Sequence, residues 1–307
     1  MKNYDIIIIG GGPAGLTAGI YATRYNLSNL VVTKEIGGMT LEAPEVCNYP
    51  SEKSITGFKL IEKIKDNLIS LGGEIKQDEV EDVKKLDKDF LLTLESSDKI
   101  KAKSIILATG TKKRSLNLKN EKKYLGKGVS YCVTCDGAFF KDKKVAVIGG
   151  SDSAGASAVH LSNIAKEVYI IYRGNKLRAN PGWKQEIEHN KNIKVLYNTN
   201  VLELRGDPML ESVVLDKPYK GEEVFELDGL FIEIGAIPIT SLFKDIDIKT
   251  NNKNYVMIDE DQSTNIDGVF AAGDVTNGSN GLRQIITACS EGAISVDSAF
   301  KYLRAGI

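Results

Sequence analysis

The feature that most constrains this chain occurs twice: an apolar run that ends in a glycine-rich turn and opens into a helix of small residues. Asp5-Ile6-Ile7-Ile8-Ile9 runs into Gly10-Gly11-Gly12-Pro13-Ala14-Gly15, and a helix follows from Leu16 to about Tyr25 before the next strand, Leu30 to Thr33. The second copy is Lys144 to Ile148, then Gly149-Gly150-Ser151-Asp152-Ser153-Ala154, a helix, and Val168 to Tyr172. An unbroken apolar run before such a turn suits a strand buried on both faces, and a strand, helix, strand unit builds a parallel sheet. Two units in one chain of 307 residues predict two nucleotide-binding domains.

Gly10, Gly12 and Gly15 match G-x-G-x-x-G after a strand and before a helix, where a tight turn brings backbone N–H groups and the helix dipole onto a pyrophosphate. Glu35 stands 20 residues beyond Gly15, near the end of the next strand, where a carboxylate can accept from ribose hydroxyls. Between the two units, Leu60, Ile61, Ile64, Leu68 and Leu71 form one apolar helical stripe, while Phe90 to Leu94 and Ile100 to Leu107 read as strands. Gly268 to Asp274 repeats a strand-to-turn step, a helix runs from about Arg283 to Leu303, and this tail is expected to complete the first domain.

Cys132-Val133-Thr134-Cys135 points to chemistry rather than to scaffolding. A disulfide across so short a loop removes little entropy from the unfolded chain, so it is a poor staple. C-x-x-C spacing lowers one thiol pKa and lets the second thiolate resolve a mixed disulfide, which makes a good redox couple. Half a zinc site is the competing reading, but no second C-x-x-C or close Cys/His pair completes four ligands, and no metal is expected. Asp136, directly after Cys135, is either the proton carrier for the thiols or a turn-capping carboxylate. The remaining cysteines, Cys47 and Cys289, are isolated and expected as small core residues.

Lys plus Arg total 40 against 41 for Asp plus Glu, so bulk charge gives no handle on nucleic acid or an anionic membrane. The apolar run Ile6 to Ile9 is too brief for a signal-peptide core or a membrane span, and a cytoplasmic protein is expected.

In this order, Gly10 to Gly15, Ala108-Thr109-Gly110, Cys132 to Asp136, Gly149 to Ala154, Ala272-Gly273-Asp274 and Arg283-Gln284 resemble the low-molecular-weight thioredoxin reductases of bacteria and archaea. The resemblance implies an α/β homodimer with two Rossmann-like three-layer ββα domains, the second inserted in the first. It divides the chain into FAD-binding residues 1–113 and 244–307 around a pyridine-nucleotide domain at 114–243. It implies FAD contacts from Gly10, Gly12, Pro13, Ala14, Gly15, Thr33, Lys34, Glu35, Gly38, Asn48, Thr109, Gly110, Gly273, Asp274, Arg283 and Gln284. By the same likeness Cys135 faces the flavin, Cys132 attacks thioredoxin or a thioredoxin-like protein, and Asp136 is the acid/base residue.

The implied donor is NADPH, held by Gly149, Gly150, Ser151, Ser153, Ala154, Arg173 and Arg178. Here the chain departs from the family: Ser151 occupies the second fingerprint glycine, and Gly174 stands where the middle of three arginines is usual. NADH, ferredoxin or a deazaflavin therefore stay open as donors, as does a flavin-dependent dithiol oxidase.

Overall fold

The computed structural model describes residues 2–43 and 45–306; Met1, Pro44 and Ile307 lie outside the described residues. Contacts divide the chain into two units, Met1–Lys112 with Ile237–Ile307, and Lys113–Ala236.

In the first unit the order is β1 (Asn3–Gly11), α1 (Pro13–Arg24), β2 (Asn29–Ile36), α2 (Gly57–Ser70), β3 (Ile75–Gln77), β4 (Val80–Lys85), β5 (Phe90–Leu94) and β6 (Lys99–Leu107). β1 lies parallel between β2 and β6, with Ile8 beside Val31 and Ile106. Ile6 and Ile8 join the core with Leu16, Leu60 and Val296, whereas Ile7 and Ile9 join the opposite core with Val83 and Leu92. The isoleucine run is thus sandwiched, each side chain stabilising the fold by about 1.5–3 kcal/mol as an upper estimate.

β5 pairs antiparallel with the first half of β6, and β17 (Val269–Ala271) pairs parallel with its second half, from Ile105 to Leu107. The C-terminal segment therefore rejoins the first sheet. It ends in α7 (Ile285–Arg304), which approaches the first helix so closely that a Cβ on Gly292 would lie 2.2 Å from the Ala14 carbonyl oxygen.

Thr56 caps α2, its Oγ1 accepting from the Lys59 N–H at 3.3 Å, and Leu60, Ile61, Ile64 and Leu68 are buried as the stripe predicts. Leu71 is not: the helix stops at Ser70, and Leu71 is left exposed.

The second unit is led in by β7 (Thr111–Lys113) and continues through α3 (Glu121–Tyr124), β8 (Val129–Ser130), α4 (Val133–Asp136), β9 (Lys144–Ile148), α5 (Asp152–Ser162), β10 (Glu167–Tyr172), α6 (Pro181–His189) and β11 (Ile193–Tyr197). β12 (Val201–Arg205), β13 (Ser212–Tyr219), β14 (Glu222–Glu226) and β15 (Gly229–Ile232) follow, and β16 (Ala236–Pro238) leads the chain back into the first unit. The main sheet is parallel in the order β11-β10-β9-β15-β8.

Its apolar residues divide between two cores. Val145, Val147 and Ile170 pack with Ala154, Leu161 and Ile187 of α5 and α6, while Ala146 and Ile171 pack with Leu204, Val213 and Phe225 of the antiparallel β12-β13-β14 sheet. Each unit is a nucleotide-binding fold of three layers, and the second interrupts the first. No helix among the described residues is long and apolar enough to cross a membrane.

Candidate active site

The first unit contains a cleft of about 880 Å³ beyond the carboxyl end of β1, near the upper limit of roughly 300–1,000 Å³ usual for ligand pockets. Its floor is the first glycine turn, lined by Gly10, Gly12, Pro13 and Ala14. Gly10 has a φ of +119°, and a Cβ there would lie 2.1 Å from the Ala108 carbonyl oxygen, so only glycine makes this turn. A Cβ on Gly12 would meet nothing closer than 4.0 Å; this position leaves the backbone open toward the cleft, as a pyrophosphate requires.

Thr33, Lys34 and Glu35 line the cleft from the end of β2, and Gly38, Thr109 and Gly110 from the neighbouring loops. Thr109 is fixed by its Oγ1, which donates to the Ile239 carbonyl at 2.8 Å. Gly273, Asp274, Arg283 and Gln284 close the far wall.

Two expected contacts are not cleft-lining. Gly15 packs beneath the turn, where a Cβ would lie 1.8 Å from the Gly10 carbonyl oxygen. Asn48 stands behind the wall, its amide donating to Gln284 Oε1 at 2.9 Å. Asp78, Glu79, Glu81, Ser241 and Leu242 also line the cleft, and the sequence reading missed them. The acidic run after Gln77 was visible, but without a strand-to-turn context it had no signal that joined it to the glycines.

The far wall is a charge cluster. Burial pushes the Asp274 carboxyl up, Arg283 opposes this, and Glu291 adds to it. Glu291, buried in α7, accepts from the Gly273 N–H at 2.7 Å, Thr276 Oγ1 at 3.0 Å and Ser279 Oγ at 2.5 Å, which fixes the turn carrying Asp274. The Arg283 guanidinium lies 3.9 Å from the centre of the Tyr255 ring, and its Nη1 donates to the Gly281 carbonyl at 3.4 Å; among the described residues its buried Nε has no hydrogen-bond partner. A guanidinium in the wall of a cleft that is also lined by an open glycine turn suits an anionic dinucleotide.

In the second unit Cys132 and Cys135 form a disulfide, with Cα atoms 5.3 Å apart. Cys132 is the N-cap of α4, and its Sγ accepts from the Cys135 N–H at 3.1 Å. That N–H is placed to stabilise a thiolate after reduction. Cys135 is exposed, Cys132 half-buried, and Asp136 ends the same helical turn, half-buried. Cys289 is buried as expected, with burial pushing its thiol up, but Cys47 is exposed rather than part of the core. It lies in an irregular loop just after the bridge between Val46 and Ile55, where the chain has no periodic pattern to reveal burial.

At the second glycine turn, Gly149 has a φ of +149° and a Cβ would lie 2.3 Å from the Glu233 carbonyl oxygen. Ser151 stands at the N-cap position of α5 without a side-chain capping bond, and the first turn contains Ser153 and the packed Ala154. The Gly150 carbonyl accepts from the N–H groups of Arg178 and Ala179 at 2.6 and 3.1 Å, which folds the loop after β10 onto the turn. Arg173 and Arg178 are both exposed. Between them Gly174 is forced: a Cβ there would lie 2.6 Å from Cε1 of Tyr172, and the other edge of that ring lies 2.5 Å from where a Cβ on Gly150 would be. The ring fills the space where the usual middle arginine would begin.

Two nucleotide-binding folds in one chain, one with a dinucleotide-sized cleft and the other carrying an exposed C-x-x-C disulfide, define a dithiol–disulfide oxidoreductase. The chain belongs to the pyridine nucleotide-disulphide oxidoreductase family, whose model matches residues 4–292. It is 38% identical to a thioredoxin reductase of Peptoclostridium acidaminophilum over 99% of both chains. It superposes on the thioredoxin reductase of Lactococcus lactis with a TM-score of 0.93 at 35% identity, covering 98% of this chain and 99% of that one. For the thioredoxin reductase of T. acidophilum the TM-score is 0.92 at 36% identity, over 100% of both. Membership implies a flavin and a pyridine nucleotide.

Proposed function

We propose that this protein is a thioredoxin reductase with FAD in the first unit's cleft and NADPH as donor at the second unit, its dithiol reducing an oxidised thioredoxin or thioredoxin-like protein. The observation that carries the reading is a disulfide of sequence separation 3 at the cap of a short helix, a poor staple in a chain that also provides a dinucleotide cleft. FAD, when bound, supplies a carrier that takes electrons as a pair and returns them to a disulfide. Gly10, Gly12 and the α1 N-terminus hold its pyrophosphate, Glu35 its ribose, and Asp274 with Arg283 the far end of the cleft.

Two electrons break the Cys132–Cys135 bond and leave two sulfur anions, of which Cys135 takes a proton from Asp136 while Cys132 stays a thiolate. The Cys132 thiolate attacks one sulfur of the partner's disulfide, forming a mixed disulfide and expelling a partner thiolate. Asp136 takes the proton back from Cys135, and the resulting Cys135 thiolate attacks the Cys132 sulfur. That step re-forms the Cys132–Cys135 bond and releases the partner with two thiolates, which become a dithiol by taking one proton from Asp136 and one from solvent. Cys135 facing the flavin and Cys132 facing the partner follow the family resemblance.

Arg173, exposed directly after β10, and Arg178, exposed in the loop that follows, support NADPH, since guanidinium groups suit a 2′-phosphate. A second reading keeps the dithiol chemistry with NADH, ferredoxin or a deazaflavin as donor. It is favoured by Tyr172, whose ring occupies the place of the missing arginine. The family resemblance supports a homodimer. A cycling dithiol belongs in a reducing compartment, which supports a cytoplasmic location.

Cys135→Ser tests the reading. It should abolish reduction of a thioredoxin disulfide, leave flavin content unchanged and leave anaerobic bleaching of the flavin by the donor intact; turnover at the wild-type rate rejects it.

A further inference from the structure

Lys113 belongs to no motif of the sequence, yet it is among the most enclosed lysines of the second unit. Its side chain is 14% exposed, and its ammonium donates both to the Tyr131 carbonyl and, at 3.2 Å, to a Glu233 carboxylate that is itself 8% exposed. Glu233 also accepts from Ser157 Oγ at 3.1 Å, from the buried face of α5. The Tyr131 carbonyl belongs to the peptide bond that leads into Cys132. A cation therefore sits one peptide unit from the cap of α4, anchored by an anion at the carboxyl end of β15 beside the second glycine turn.

Other contacts fix the same residue. The Cys132 N–H donates to Ser130 Oγ at 2.9 Å, and Ser130 Oγ donates to the Cys132 carbonyl at 3.2 Å. The Tyr131 hydroxyl donates to Glu121, a buried carboxylate that also accepts from the Leu116 and Leu118 N–H groups at 3.1 and 3.3 Å. A buried lysine–glutamate pair is weak evidence for stability, because desolvation offsets most of the attraction. Its placement against the peptide of a redox cysteine suggests a different use.

We propose that Lys113, held by Glu233, is a positioning residue of the redox centre: it fixes the Tyr131–Cys132 peptide and stabilises the negative charge that reduction leaves on Cys132. The proposal rests on the dithiol reading above. Reduction breaks the S–S bond, adds two electrons and develops charge on sulfur, so a nearby fixed cation favours the dithiol form and a nearby fixed anion disfavours it.

The test is a thiol–disulfide equilibrium on the flavin-loaded protein. Wild type and variants are equilibrated anaerobically in mixtures of reduced and oxidised dithiothreitol, alkylated, and the Cys132–Cys135 peptide is quantified by mass spectrometry. Lys113→Met should shift the equilibrium constant toward the disulfide by about tenfold, which is ~30 mV for a two-electron couple. Glu233→Gln should shift it toward the dithiol by at least about threefold, while Lys113→Arg and Ser157→Ala should remain within about threefold of wild type.

Opposite signs for Lys113→Met and Glu233→Gln are the signature of charge, since general loosening moves both the same way. Shifts of the same sign, a Lys113→Met variant within threefold of wild type, or a Ser157→Ala shift as large as that of Lys113→Met, overturn the role. A wild-type disulfide that never equilibrates with dithiothreitol defeats the functional reading itself, whereas a wild-type couple with unmoved variants defeats only Lys113.

Discussion

Gly174 gives a quantitative test of the donor site, because its neighbour decides what a side chain there can do. A Cβ at Gly174 would lie 2.6, 2.8 and 2.9 Å from Cε1, Cζ and Oη of Tyr172, all inside van der Waals contact. Gly174→Arg alone must displace a half-buried ring, an overpacking cost of about 1–3 kcal/mol. The arginine it introduces gains a charge-assisted bond to a 2′-phosphate of about 1.5–3 kcal/mol. The two effects nearly cancel, so the single variant should bind NADPH within a few fold of wild type.

Tyr172→Ala removes the obstruction without adding a cation and should change little on its own. The double variant keeps the gain without the cost, and its NADPH dissociation constant should fall by about 10–100-fold. NADH affinity, which has no phosphate to gain, should remain within a few fold. Calorimetry with both nucleotides on all four proteins completes the double-mutant cycle. Equal gains for NADH and NADPH, or a full gain in Gly174→Arg alone, would refute the steric reasoning.

Glu291→Ala leaves the Gly273 N–H and two hydroxyls without their acceptor inside the protein. It should cost about 3–5 kcal/mol in denaturant unfolding and weaken flavin retention, while Glu291→Gln, which keeps one acceptor oxygen, should lose less than half of that. For Asp274 the folded carboxyl is raised above its unfolded value, so its contribution to stability is present below about pH 4 and is lost as pH rises through the folded pKa. Flavin-free Asp274→Asn should therefore unfold at higher denaturant than wild type at pH 7, with the difference closing as pH falls toward 4; a gap that widens on acidification contradicts the sign.

Wherever side chains repeat on a period or a turn demands glycine, the sequence was readable. Ile6 to Ile9, apolar at every position, could only be a strand covered on both faces, and Gly10 could only be glycine because of the Ala108 carbonyl. Cys132 and Cys135 were legible because so small a loop makes a poor staple. Contacts made by irregular segments were not.

Cys47 is exposed on a loop without periodicity, and Asn48 donates to Gln284 without itself lining the cleft. Ser241 and Leu242 reach the cleft from a segment far along the chain. Ser151 and Gly174 were visible as departures from a pattern, but the reason for Gly174, the ring of Tyr172, exists only in three dimensions.

The central claim is that electrons pass through the Cys132–Cys135 pair, and direct trapping tests it. Free thiols are blocked with one isotopic form of an alkylating reagent, the donor is added anaerobically, and new thiols are trapped with a second form before digestion. The second label should appear on Cys132 and Cys135 together, rise with flavin bleaching and disappear on adding an oxidised thioredoxin. A flavin that bleaches while both sulfurs stay unlabelled contradicts it.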